Sequence, residues 1–228
     1  MKRVLISLAV AGALLAGAFA LGLDPVTIKR TAKAGDTFNY DLSAKMTVNG
    51  QDGDVTAKIK HVVKTVGDDG GLTIEQTTSD ITYNGMDVNA SADPTVVKTK
   101  ANGEITDFSM PDQMGPGLRY ANLLQFFYPP NPINVGDSWT VKTPANEKLG
   151  AVEVNADFKL VGEEKIGNFD TYKVEATKKE AGTDPGSIHG FFWLNKDDGS
   201  MVKADLDLTN VTLAFGSSSG KTTLTRIP

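Results

Sequence analysis

Strict alternation of apolar and polar residues over more than ten positions constrains this chain more than any other feature. Phe38, Tyr40, Leu42, Ala44, Met46 and Val48 point one way, and Thr37, Asn39, Asp41, Ser43, Lys45 and Thr47 the other. That is a strand with one buried and one wet face. Val55, Ala57, Ile59, His61 and Val63 repeat the pattern, as do Val152, Val154, Ala156, Phe158 and Leu160, and then Val202, Ala204, Leu206 and Leu208. Ordinary strands run to about five or six residues. Long one-sided strands belong to curved sheets and barrels, which enclose one face. The phase slips at Ser79 and again at Thr209-Asn210, which predicts a bulge at each place. The expected fold is all-β and mainly antiparallel: a curved half-barrel or open barrel.

An enclosed face needs filling. Leu118, Tyr120, Ala121, Leu123, Leu124, Phe126, Phe127 and Tyr128 leave only Arg119, Asn122 and Gln125 polar. A segment apolar nearly all round must be buried nearly all round. The spacing predicts a helix over about 117–128 that plugs the sheet, with one narrow wet stripe. Pro129, Pro130 and Pro132 stop it. A fixed plug and a movable lid over an apolar ligand are both compatible with the sequence.

Turn clusters at 49–53, 67–71, 102–103, 167–168 and 197–199 separate the strand patterns. Residues 188–194 are apolar on both faces around Phe191-Phe192-Trp193, which predicts a doubly covered strand. Residues 216–220 read as a loop before a last edge strand over 222–227. One phrase occurs twice, as Gly35-Asp36-Thr37-Phe38 and as Gly136-Asp137-Ser138-Trp139. Glycine permits a positive-φ turn, aspartate caps it, and the aromatic is the strand's first inward anchor. The phrase divides 21–228, a single β-rich domain, into two similar halves, about 33–116 and 129–228, joined by the helix.

Residues 1–20 read as a signal peptide. Lys2 and Arg3 precede an apolar run, and Ala18 and Ala20 suit cleavage after Ala20. A periplasmic or extracellular setting is expected, with no transmembrane segment after cleavage. There is no cysteine, so neither a disulfide nor an acyl-bearing cysteine is available. The net charge of −5 argues against nucleic acid as a partner.

Chemistry-bearing patterns are sparse. The two histidines, His61 and His189, do not form a metal-binding pair. The carboxylate pairs Asp68-Asp69, Glu163-Glu164 and Asp197-Asp198 flank glycines and read as turns. No glycine-rich phosphate loop is present. No metal, cofactor or catalytic residue is expected.

A longer string runs from the helix through Gly136-Asp137-Ser138-Trp139. It continues as Phe169-Asp170-Thr171-Tyr172-Lys173-Val174-Glu175 and ends in Trp193-Leu194-Asn195-Lys196-Asp197-Asp198-Gly199. It resembles bacterial exported proteins of unknown function with a LolA-like half-barrel layout. The resemblance implies a half-barrel that carries a lipid or lipoprotein, and it brings no catalytic residues. The functional expectation is a non-enzymatic exported protein binding a lipid or other apolar ligand in its concave face. The alternative is an envelope protein–protein interaction module with no small ligand. Candidate ligand-lining residues are Phe38, Tyr40, Phe127, Tyr128, Trp139, Phe158 and Trp193.

Overall fold

A computed structural model describes residues 24–88, 93–109, 117–147, 150–213 and 216–227. The leader expected over 1–20 lies outside them. Six strands come first: β1 (Thr37–Val48), β2 (Gln51–Val66), β3 (Leu72–Tyr83), β4 (Met86–Asp87), β5 (Thr95–Thr99) and β6 (Ile105–Ser109). One helix follows, α1 (Gly117–Leu124). Then come β7 (Ser138–Thr143), β8 (Val154–Ile166), β9 (Phe169–Glu180), β10 (Ser187–Asn195), β11 (Met201–Leu213) and β12 (Gly216–Ile227).

The strands make one antiparallel sheet in the order β6-β5-β3-β2-β1-β12-β11-β10-β9-β8-β7, with β4 paired to β3. The sheet is not closed, and it forms a curved half-barrel with one helix among the described residues. Two meanders build it. The first runs outward from β1 to β6; the second starts at the far rim with β7 and works inward. They meet where β1 pairs with β12, from Asn39 opposite Ile227 to Val48 opposite Ser218.

The repeated phrase folds the same way twice. Gly35 (φ 94°) donates to the Val63 carbonyl and Val63 donates back to that of Asp36; the Asp36 carboxylate accepts from the Lys33 amide. Gly136 (φ 96°) and Asp137 make the matching bonds with Leu160 and with the Asn134 amide. Both bulges also form. Asp80 (φ 50°) is the extra residue where Thr56–Lys58 faces Ser79–Thr82, and Asn210 (φ 52°) sits in the register shift between Leu208 and Val211.

Four sequence expectations need correction. The helix ends at Leu124 rather than Tyr128, because the next residues find other partners: the Tyr128 amide donates to the Asn102 carbonyl and the Phe127 carbonyl accepts from Trp139. Residues 216–220 are strand, and β12 is central rather than an edge. Glycine made this stretch look like a loop, yet Gly220 lets β12 lie so close to β1 that a Cβ would be 2.1 Å from the Lys45 carbonyl oxygen. Glu163-Glu164 lies within β8, not in a turn. β10 is only partly covered on its second face, where Trp193 is buried and Phe191 half-buried but His189 is exposed.

The main core lies on the concave face of the second meander, where Phe126 and Phe127 pack among Phe158, Val174, Phe192 and Leu206. A smaller cluster of Phe38, Tyr40, Val63 and Leu72 anchors the first meander.

Candidate functional site

The helix is short, and its polar contacts with the sheet come from β9. The inward phase of Val174 and Ala176 continues to Lys178 and Glu180, both of which are buried. Glu180 takes the Arg119 guanidinium on both oxygens (Nε to Oε1 2.9 Å, Nη2 to Oε2 2.5 Å) and also accepts from the Gly186 amide. Lys178 Nζ donates to the carbonyls of Asn122 (3.2 Å) and Gln125, at the C-terminal end of α1 where such groups lack partners. Burial holds the Lys178 amine well below the ordinary lysine range. The expected wet stripe is therefore not wet. Asn122 is buried, Arg119 is paired and Gln125 is half-buried.

On its other side α1 roofs a cavity. Leu42, Ile59, Val97, Ile105, Leu206 and Leu224 are among the walls of this space of about 270 Å³, while Tyr120, Ala121, Leu124 and Gln125 close the top. Among the described residues the polar groups at its boundary are those of His61, Gln76, Thr95, Tyr120, Gln125 and Thr222. Thr222 is 4 % exposed, and its hydroxyl is buried without a hydrogen-bond partner. A second cavity of about 90 Å³ shares the wall formed by His61, Leu124, Gln125 and Met201, and it adds Arg30, Tyr40, Lys100 and Tyr128.

His61 stands on this common wall. Its Nε2 is 3.0 Å from Gln76 Oε1, and its ring is 5.2 Å from that of Tyr40. Burial outweighs the Gln76 bond and lowers its pKa to about 4, so the ring is neutral at physiological pH. His189, the other histidine, lies on the exposed face with Glu175 at 3.3 Å. Burial also raises the pKa of Tyr40 and Tyr120 to about 12, so both keep their phenol protons.

The seven sequence candidates scatter relative to this space. Tyr40 and Tyr128 line the smaller cavity, and their hydroxyls donate to the carbonyls of Met201 (3.2 Å) and Gly199 (2.8 Å). Phe127, Trp139 and Phe158 are packed together instead. The Trp139 ring stacks on Phe158 at 5.1 Å, and its Nε1 donates to the Phe127 carbonyl at 3.0 Å. Phe38 is buried between the guanidinium groups of Arg30 and Arg226, at 4.4 and 4.7 Å. Trp193 faces the opposite side of the sheet from Phe192 and Leu194, with Lys173 and Lys203 over its ring and Glu164 accepting from its Nε1. None of the seven lines the larger cavity.

Sequence reasoning missed Arg30, Gln76, Thr222 and Lys178. Lys178 was within reach, because counting by twos from Val174 puts a lysine on the buried face. Arg30 precedes the first strand, where no periodicity says which way a side chain points.

No known protein family and no curated protein matches the sequence. Among solved structures, a Bacteroides fragilis protein with a YmcC-like fold aligns over 89 % of this chain and all of its own, with 12 % identity and a TM-score of 0.38. A DUF1329 family protein from Desulfovibrio piger aligns over 85 % of this chain and 84 % of its own, with 12 % identity and a TM-score of 0.25. Likeness at that level decides nothing about what this chain binds.

Proposed function

We propose that this chain is a non-enzymatic, exported binding protein that holds an apolar small molecule between α1 and the inner face of the first meander. One observation carries the reading: a cavity of about 270 Å³ with mostly aliphatic walls persists beneath a helix that is itself fixed in place. Folded interiors close voids larger than a water molecule unless something occupies them or the scaffold is held apart. Here the Arg119–Glu180 and Lys178 contacts hold the roof up. Export rests on the leader pattern of the first twenty residues.

The test is to secrete the full chain from a bacterial host, purify it without detergent, extract it with organic solvent and identify co-purifying molecules by mass spectrometry. An apolar compound in stoichiometric amount is expected, and Ala121→Phe, which fills the roof side of the cavity, should remove it. If extracts of the wild type are empty and apolar probes added to the protein fail to bind, the reading falls.

A second reading, docking onto an envelope protein, is favoured by one feature. At the β3–β4 hairpin Tyr83, Met86 and Val88 expose 37, 66 and 45 % of their surface. Pull-down from an envelope extract with wild type and Met86→Ser would test it, and equal recovery of partners by both would reject it.

A further inference from the structure

This inference rests on the ligand reading of the cavity. We propose that the ligand is a single-chain amphiphile with a carboxylate head, its tail in the larger cavity and its head beside Arg30 in the smaller one.

Size sets the first limit. A cavity of about 150 Å³ accepts benzene, and pockets for drug-sized molecules begin near about 300 Å³. The larger cavity, at about 270 Å³, suits one hydrocarbon chain of medium length. It is small for a lipid with two or three acyl chains.

Polarity sets the second limit. The aliphatic residues cluster in the larger space, and among the described residues no charged side chain lines it. Among the described residues, the smaller space is lined by two cations, Arg30 and Lys100, and by no carboxylate. Lys100 is already paired with Glu104 at 2.9 Å. The Arg30 side chain bonds to the Tyr128 hydroxyl, but its Nε is buried and has no hydrogen-bond partner. An unpaired buried donor on a charged group is costly, and a ligand oxygen would relieve that cost. The guanidinium is held over the Phe38 ring at 4.4 Å. The other charges near this site are Arg226 and Asp198. Arg226 donates to Ser200 Oγ, while Asp198 accepts from the Ser200 amide and from Asn195.

The shared wall joins the two requirements. His61, Leu124, Gln125 and Met201 line both spaces, so the proposed ligand has to run between these side chains, past a neutral imidazole and an amide. An amphiphile has its polarity arranged in that order. A pure hydrocarbon would leave Arg30 Nε without a partner, and a compact anion would leave the larger cavity empty.

Calorimetric titration of the full-length secreted protein with decanoate, decanol, monodecyl phosphate and vesicles of a diacyl phosphatidylcholine tests this. Decanoate should bind one to one, at least about tenfold tighter than decanol, because a charge-assisted bond is worth about 1.5–3 kcal/mol. Arg30→Gln should bring decanoate down to the level of decanol and leave decanol unchanged, while Arg30→Lys should keep part of the preference. Tighter binding of monodecyl phosphate than of decanoate would overturn the carboxylate assignment. Equal binding of decanoate and decanol, an equal loss of both in Arg30→Gln, or uptake of the diacyl lipid would overturn the proposal while leaving the cavity a binding site. Failure of every chain to bind would instead sink the ligand reading beneath it.

Discussion

Lys178 offers the sharpest test of how the helix is held. Its amine is buried against the Phe127 ring (4.2 Å) and bonded to two carbonyls, and burial lowers its pKa well below the usual 10.5. Between the folded-state pKa and 10.5 the unfolded chain binds a proton that the folded chain lacks. Stability therefore rises with pH across that window and levels off above it. One proton's difference gives a slope of at most about 1.4 kcal/mol per pH unit. From pH 7.5 to 9.5 the wild type should gain up to about 3 kcal/mol from this group. In a chain of this length that full gain corresponds to a rise in melting temperature of about 6–12 °C. Lys178→Met keeps the apolar contacts and cannot titrate. Its absolute stability decides nothing, because it loses a buried amine and also leaves two carbonyls unpaired. The decisive quantity is the difference in slope between the two proteins, measured by urea denaturation at several pH values, since changes in net charge cancel in it. If the two curves run parallel from pH 7.5 to 9.5, Lys178 is not the buried, proton-poor cap described above.

Arg119→Met strands the buried Glu180 carboxylate and should cost about 3 kcal/mol in urea denaturation; adding Glu180→Gln should recover part of that loss. Gly103→Ala should destabilise more than Gly136→Ala. Both glycines have positive φ, worth about 1–2 kcal/mol to a residue with a Cβ, but only at Gly103 would that Cβ come within 2.3 Å of the Phe126 carbonyl oxygen; thermal melts rank the two. The pKa of His61 falls from 6.5 to about 4 on folding, so the unfolded chain takes up its proton first. Stability should therefore drop as pH falls through 6.5 and stop dropping from this cause near 4, by up to about 3 kcal/mol, and His61→Gln should remove that component when the two proteins are titrated side by side.

The sheet was legible because its signal is local. Phe38 to Val48 alternates without a break, and both predicted bulges rest on a phase change that a reader can count. The site was much less legible. Large aromatic residues are natural candidates for a ligand pocket, yet Trp139, Phe158 and Phe127 satisfy one another, through the Trp139–Phe158 stack and the bond to the Phe127 carbonyl. The space left open is lined by middle-sized aliphatic side chains from strands far apart in sequence, such as Ile59, Ile105 and Leu224. Nothing in one strand says how far away the opposite wall stands. The course of β12 was hidden for another reason. Glycine and serine usually mark loops, and only the approach of the Lys45 carbonyl explains why glycine is needed at position 220.

The pairing of β1 with β12 governs the order in which this molecule can be made. Each meander can assemble from neighbours in sequence, but the middle of the sheet joins the first long strand to the last. Contacts that span so much chain form slowly. Until they form, each half carries a bare twelve-residue edge, whereas the finished rims, β6 and β7, are only five and six residues long. Long unpaired edges invite pairing with the wrong chain. The newly made protein is thus most vulnerable at what becomes its best-protected seam, and whatever delivers it must release β12 before that seam can knit.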